Sequence, residues 1–111
     1  AVYTATKTAL EGFTGSLAHE LEPFNVRVKL VEPGYGPTTA FSRNSGTRLN
    51  GLIPEPYKAY ADGIFEAFAR ATGPFTREVD VAEQVWLAAN DATPRLHFPA
   101  GPDAVALAQA G

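Results

Sequence analysis

Tyr3-Thr4-Ala5-Thr6-Lys7-Thr8-Ala9-Leu10-Glu11-Gly12-Phe13, continued by Thr14 to Leu21, is the stretch on which the reading of this chain turns. Leu10, Phe13, Leu17 and Leu21 recur at helical spacing and form one apolar stripe, so the segment from about Thr4 to Leu21 is expected to be an amphipathic helix. Ala5, Ala9, Gly12 and Ser16 form a second stripe of small side chains only. Tyr3 and Lys7 stand four residues apart and therefore share a face. A phenol alone holds its proton too tightly for acid/base work near neutrality. An ammonium one turn away stabilises the phenolate, which is the tuning such work needs. The same spacing also arises when a surface tyrosine packs on a lysine stem, so the pair alone does not decide its own role.

Outward from this helix, Pro23 supplies a stop, and Val26 to Val31 is short and rich in β-branched residues, predicting a strand. Glu32-Pro33-Gly34 reads as a turn that ends it. Tyr35 to about Pro54 reads as loop, with Gly36, Pro37, Asn44, Gly46, Asn50 and Gly51 scattered through it; a loop this long inside a domain is usually functional or mobile. A helix is expected from about Glu55 to Ala71, ended by Gly73 and Pro74, with Glu55, Asp62 and Glu66 on its solvated side. Asp80 and Glu83 have the spacing of an N-cap and its capping-box partner for a helix carrying Val85, Trp86 and Leu87, where Trp86 is expected to pack. Arg95 to Phe98 predicts a last strand, and Pro102-Asp103 starts a terminal Ala-rich helix. A strand-to-strand crossover through helices is the parallel α/β arrangement. Two strands cannot stand alone as a parallel sheet, so the expected fold is part of a larger α/β domain.

Composition narrows the function. The chain has 111 residues, 45% hydrophobic and 19% charged, with a formal charge of −3. That is the balance of an ordinary globular protein, and it lacks the basic stripe a nucleic-acid partner requires; Arg43 and Arg48 are too few to make one. No apolar run is long enough to span a bilayer. The absence of cysteine removes disulfides, thiolate nucleophiles and Cys-ligated metals, and fits a cytoplasmic setting. His19 and His97 stand in no Ser-His-Asp or HExxH pattern, so packing or surface roles are expected and no metal site is. A helical pattern is under way from the first residues, without Met or a signal-like segment, so the chain is expected to have lost its beginning.

The run Tyr3-x-x-Thr6-Lys7-x-Ala9-Leu10 resembles the active-site helix of the short-chain dehydrogenase/reductase family. It is followed at family-like distance by Leu17-Ala18-His19-Glu20-Leu21, Asn25-Val26-Arg27-Val28 and Leu30-Val31-Glu32-Pro33-Gly34, with Thr38 at the usual offset. Arg95 to Asp103 is similar to the last strand and terminal segment of some members. The likeness is densest over residues 1–39 and returns over 79–104. It implies the C-terminal portion of a Rossmann-like, doubly wound parallel sheet, a single unit over residues 1–111: active-site helix, strand, lid helices, last strand, terminal helix. The nucleotide-binding part would lie upstream.

By that resemblance the chain serves hydride transfer between NAD or NADP and a carbonyl/alcohol substrate, without metal or covalent intermediate. Tyr3 would be the acid/base and Lys7 would hold the nicotinamide ribose. Pro33 and Gly34 would bring backbone close to the nicotinamide ring, and Thr38, with the backbone of Gly36, would bind the carboxamide. Gly36 stands where a branched aliphatic residue is common in the family, and a one-residue shift would put Thr39 in place of Thr38. The family's glycine-rich phosphate turn and catalytic serine are not among these 111 residues, so the isolated chain is expected to be inactive.

Residues 39–78 are expected to form a substrate loop or lid. Tyr35, Phe41, Tyr57, Ile64, Phe65 and Phe68 are candidate substrate contacts; the stripe of Tyr57, Tyr60, Ile64, Phe65 and Phe68 reads equally as core-facing or as a lid over an apolar substrate. The small stripe of the first helix is expected at a twofold contact in a homodimer or homotetramer, the alternative being packing on the chain's own sheet. The rival to the enzyme is a non-catalytic fragment acting as an oligomerisation or interaction module. Neither nucleic acid nor membrane is an expected partner.

Overall fold

The computed structural model describes residues 1–46 and 51–111; Arg48, Asn50 and the middle of the long loop lie outside the described residues. Helix α1 (Val2–Leu21) is uninterrupted by proline, and two of its threonines spend their hydroxyls locally, Thr6 on the Tyr3 carbonyl and Thr14 on that of Leu10. Pro23 tightens the exit into a 3-10 turn over Glu22–Phe24. Asn25 then reverses the chain in the left-handed region at φ 56°, ψ 33°, which asparagine tolerates better than most residues.

Strand β1 (Leu30–Pro33) pairs in parallel with β2 (His97–Ala100), Leu30 opposite His97 and Pro33 opposite Ala100. Both strands lie later than the sequence predicted. Val26–Lys29 meets no pairing strand among the described residues, because the chain opposite it is a turn. Lys29 holds that turn: its ammonium donates to the Thr93 carbonyl at 2.7 Å, the Arg95 carbonyl at 2.8 Å and the Asp91 carboxylate at 3.1 Å. Arg95 belongs to the turn as well, its amide on the Thr93 hydroxyl. At the other end, neither proline stops its strand. The amides of Leu30 and Gly34 donate to the carbonyls of Leu96 and Ala100, so same-parity residues face the partner and the nitrogens of Pro33 and Pro99 face away.

Inside the region expected to be loop there is a short helix, α2 (Phe41–Gly46). A 3-10 turn at Glu55–Tyr57 leads into α3 (Lys58–Arg70). Helix α4 (Glu78–Asn90) starts earlier than expected: Asp80 is not its N-cap but sits in its first turn and accepts the Arg77 amide at 2.8 Å. Helix α5 (Pro102–Ala110) begins at Pro102, whose missing amide proton costs nothing there.

Helices α4 and α5 pack on the two strands. Along β2, buried Phe98 and Ala100 alternate with His97 and Pro99, the period of two that separates a covered face from an open one. Phe98 is 1% exposed, with the Arg95 guanidinium 4.2 Å and the Lys29 ammonium 5.4 Å from its ring centre. Thr76, Ala88, Ala100 and Ala104 complete the buried set among the described residues. The core is small and the body long: the radius of gyration is 16.9 Å, against about 13 Å for a compact domain of this size. The stripe on α3 is not core-facing, since none of its residues is buried, and Trp86 is 70% exposed rather than packed. No helix among the described residues is long and apolar enough to cross a membrane.

Candidate functional site

The first turns of α1, the end of β1 with its following turn, and the start of α4 enclose a cavity of about 580 Å³. Tyr3 and Lys7 reach it from α1, and the Lys7 ammonium lies 5.6 Å from the centre of the Tyr3 ring, one turn along the same face. The Phe41 ring, at the start of α2, meets Tyr3 edge-on at 6.5 Å. Pro33, Gly34, Tyr35 and Gly36 line the opposite side.

That turn is fixed from behind by Asp103. Its Oδ2 accepts the Tyr35 amide at 2.7 Å, and its Oδ1 lies 2.6 Å from the Thr76 hydroxyl, which is also 3.0 Å from the Ala100 carbonyl. Burial works to raise the Asp103 pKa, but the Thr76 hydroxyl and the amides of Tyr35, Ala104 and Asp103 itself outweigh it and hold the group below the usual carboxylate range. A β-carbon on Gly34 would run into the Asp103 carboxylate. Gly101 is constrained in the same knot: its φ is +103° and a β-carbon there would overlap Thr76. The glycine at 34 thus has a reason inside the protein, separate from any bound ring. Asp103 and Thr76 were missed in the sequence, where Asp103 announced only the start of a helix.

Thr38 does not line the cavity. Its hydroxyl donates to the Glu78 carboxylate, whose oxygens lie at 2.9 and 3.0 Å. Thr39 does line the cavity, with its hydroxyl on the Gly36 carbonyl at 2.8 Å. Arg77, Glu78 and Val81 add a wall that the sequence reading did not anticipate. Asp80 stays below the ordinary carboxylate range through the Arg77 side chain first and its amide second.

Of the candidate substrate contacts, Tyr35 and Phe41 border the cavity, whereas Tyr57, Ile64, Phe65 and Phe68 do not. Helix α3 stands outside it, and Phe68 reaches it only through Tyr35, ring centres 5.7 Å apart. Phe75 holds the Tyr35 ring from another side at 5.3 Å.

Residues 1–49, which carry the tyrosine–lysine turn and the Pro33–Gly34 turn, match the short chain dehydrogenase family. Over these residues the chain is similar to that family. Among similar proteins, an uncharacterized oxidoreductase of Schizosaccharomyces pombe is 29% identical over 100 residues, 90% of this chain and 41% of that protein. Carbonyl reductase family member 4 of Danio rerio is 61% identical over 33 residues, 30% of this chain and 14% of that protein. Human retinol dehydrogenase 8 is likewise 61% identical over 33 residues, covering 30% and 11%. The chain thus spans about two-fifths, or less, of the length of these relatives. No solved structure matches it. That likeness carries the Rossmann-like α/β class with it, and the two parallel strands with their covering helices are consistent with that class.

Proposed function

We propose that this chain carries the proton-transfer end of an NAD(P)-dependent oxidoreductase acting on a carbonyl/alcohol pair. What supports the reading is the placement of Tyr3 and Lys7, one turn apart, on the wall of a cavity faced by Pro33–Gly36. The volume is in the range of small-molecule sites, and the donor set of ammonium, phenol and Thr39 hydroxyl fits a ribose and a carboxamide. When bound, a nicotinamide dinucleotide, NAD or NADP, supplies or accepts the hydride. Tyr3 gives its proton to the carbonyl oxygen in reduction and takes the hydroxyl proton in oxidation. Lys7 binds the ribose hydroxyls and stabilises the phenolate. Thr39, or Thr38 once it leaves Glu78, holds the carboxamide beside the Gly36 backbone. Tyr35 and Phe41 border the substrate, and α3 closes over it only by moving toward Tyr35. Copies assemble through α1 as a homodimer or homotetramer, in the cytoplasm.

The test is made in the full-length oxidoreductase bearing this sequence. Tyr3→Phe keeps the ring and removes the proton, so kcat should fall by roughly 10²–10⁴-fold with cofactor affinity nearly unchanged. Lys7→Ala should damage both. Near-normal kcat in Tyr3→Phe would overturn the assignment.

A further inference from the structure

Three metal-ligating side chains converge from three separate elements: Glu11 of α1, Glu32 of β1 and His97 of β2, their ligand atoms all within 4.8 Å of one another. The strand register creates half of this arrangement. Leu30 opposite His97 and Glu32 opposite Pro99 put Glu32 and His97 on one face of the sheet, away from buried Phe98, and His97 Nδ1 comes to 3.0 Å from Glu32 Oε1. Glu11 reaches the same place from α1. Among the described residues no lysine or arginine pairs with either carboxylate. Two carboxylates this close repel each other unless positive charge stands between them.

We propose that Glu11, Glu32 and His97 bind a divalent transition-metal ion of the Zn²⁺ type. Tetrahedral Zn²⁺ with nitrogen and oxygen ligands at about 2.0–2.2 Å places its ligand atoms about 3.4 Å apart. Side-chain rotation of about an ångström closes the present set to that spacing, and Glu32 and His97, with side chains 36% and 51% exposed, are free to make it. The imidazole selects Zn²⁺ and its neighbours over Mg²⁺ and Ca²⁺, which prefer all-oxygen sets. Three protein ligands leave the remaining position to water. The ion would act structurally, because α1 contains no buried residue and a metal bridge would tie it to both strands. This gives His97 a role beyond the surface position its sequence context predicts.

The experiment is calorimetric titration of the purified full-length protein bearing this sequence with Zn²⁺ at neutral pH, with visible absorption of bound Co²⁺ as a second readout. One equivalent should bind with micromolar affinity. His97→Ala and Glu11→Gln should each weaken it about tenfold or more, while His19→Ala leaves it unchanged and excess Mg²⁺ does not compete. Glu32→Gln, nearly isosteric, guards against loss through misfolding and should weaken binding with the circular dichroism retained. Affinity weaker than millimolar, or binding that survives both His97→Ala and Glu11→Gln, overturns the site. Neither readout depends on dehydrogenase activity.

Discussion

The Asp103 carboxylate fills the space that a β-carbon on Gly34 would need, and the same carboxylate accepts the amide of Tyr35 at 2.7 Å. A residue at the start of the last helix therefore sets the path of the turn that faces Tyr3 and Lys7. Gly34→Ala should destabilise the chain by overpacking, by about 1–3 kcal/mol. On an Asp103→Ala background the same substitution should cost much less, because the obstacle is gone. Urea unfolding of the four proteins of this cycle measures the difference. An equal cost on both backgrounds would show that Gly34 is demanded by something other than Asp103.

A second carboxylate governs the acid limb of stability. Asp91 has its pKa lowered from 3.8 to about 2, by the Thr93 hydroxyl first, then by the Lys29 ammonium and the Thr93 amide, against opposing burial. A carboxyl depressed in the folded state stabilises it fully above the unfolded value, and that contribution disappears as pH falls from 3.8 toward 2. Asp91→Asn should therefore lower Tm at neutral pH and flatten its fall over this window. Asp80 and Asp103 are depressed too, so the difference between wild type and variant is the quantity to read. Parallel Tm curves would remove Asp91 from the acid response.

How much of this was legible in the sequence follows from the range of each interaction. Helix α1 and its stop at Pro23 are written in local spacing, and the periodicity of residues 4–21 found them. The strands were found but misplaced by a few residues, because pairing partners set their ends: Lys29 turns residues 91–95 away from Val26–Val28, and Pro33 is admitted since its nitrogen faces the far edge. Tyr3 and Lys7 were visible as an i, i+4 pair. Asp103, Thr76 and the Glu78 contact to Thr38 were not, since each joins residues more than twenty apart and leaves no local pattern. The α3 stripe misled for the opposite reason: its periodicity is real, and the described residues bury none of it.

The hydroxyl of Thr38 is held by Glu78, while that of Thr39 stands on the cavity wall. If the cofactor reading holds, Thr39→Val in the full-length oxidoreductase should raise the Kd for NAD(P)H more than Thr38→Val does. Glu78→Gln should leave the Thr38 variant's affinity as it is. Fluorescence titration with the reduced cofactor separates the two threonines. A larger loss from Thr38→Val would mean that Glu78 releases its hydroxyl on binding and that the arrangement seen here is the unliganded one.

Gly12 tests the proposed assembly. Nothing lies within 4 Å of where its β-carbon would be, and Ala5, Ala9 and Ser16 beside it are exposed, so a larger side chain meets no obstacle within the protomer. Gly12 follows Tyr3 by nine residues, about two and a half turns, and so faces away from it. Gly12→Leu should then leave Tyr3 and Lys7 in place and raise helix propensity. What it alters is the close approach of a second α1, where overpacking costs about 1–3 kcal/mol at each site and a twofold contact meets it twice. Sedimentation of the full-length protein should shift to smaller species with helical circular dichroism retained. An unchanged oligomer would show that the small stripe is not where copies meet, and assembly through α1 would have to be abandoned.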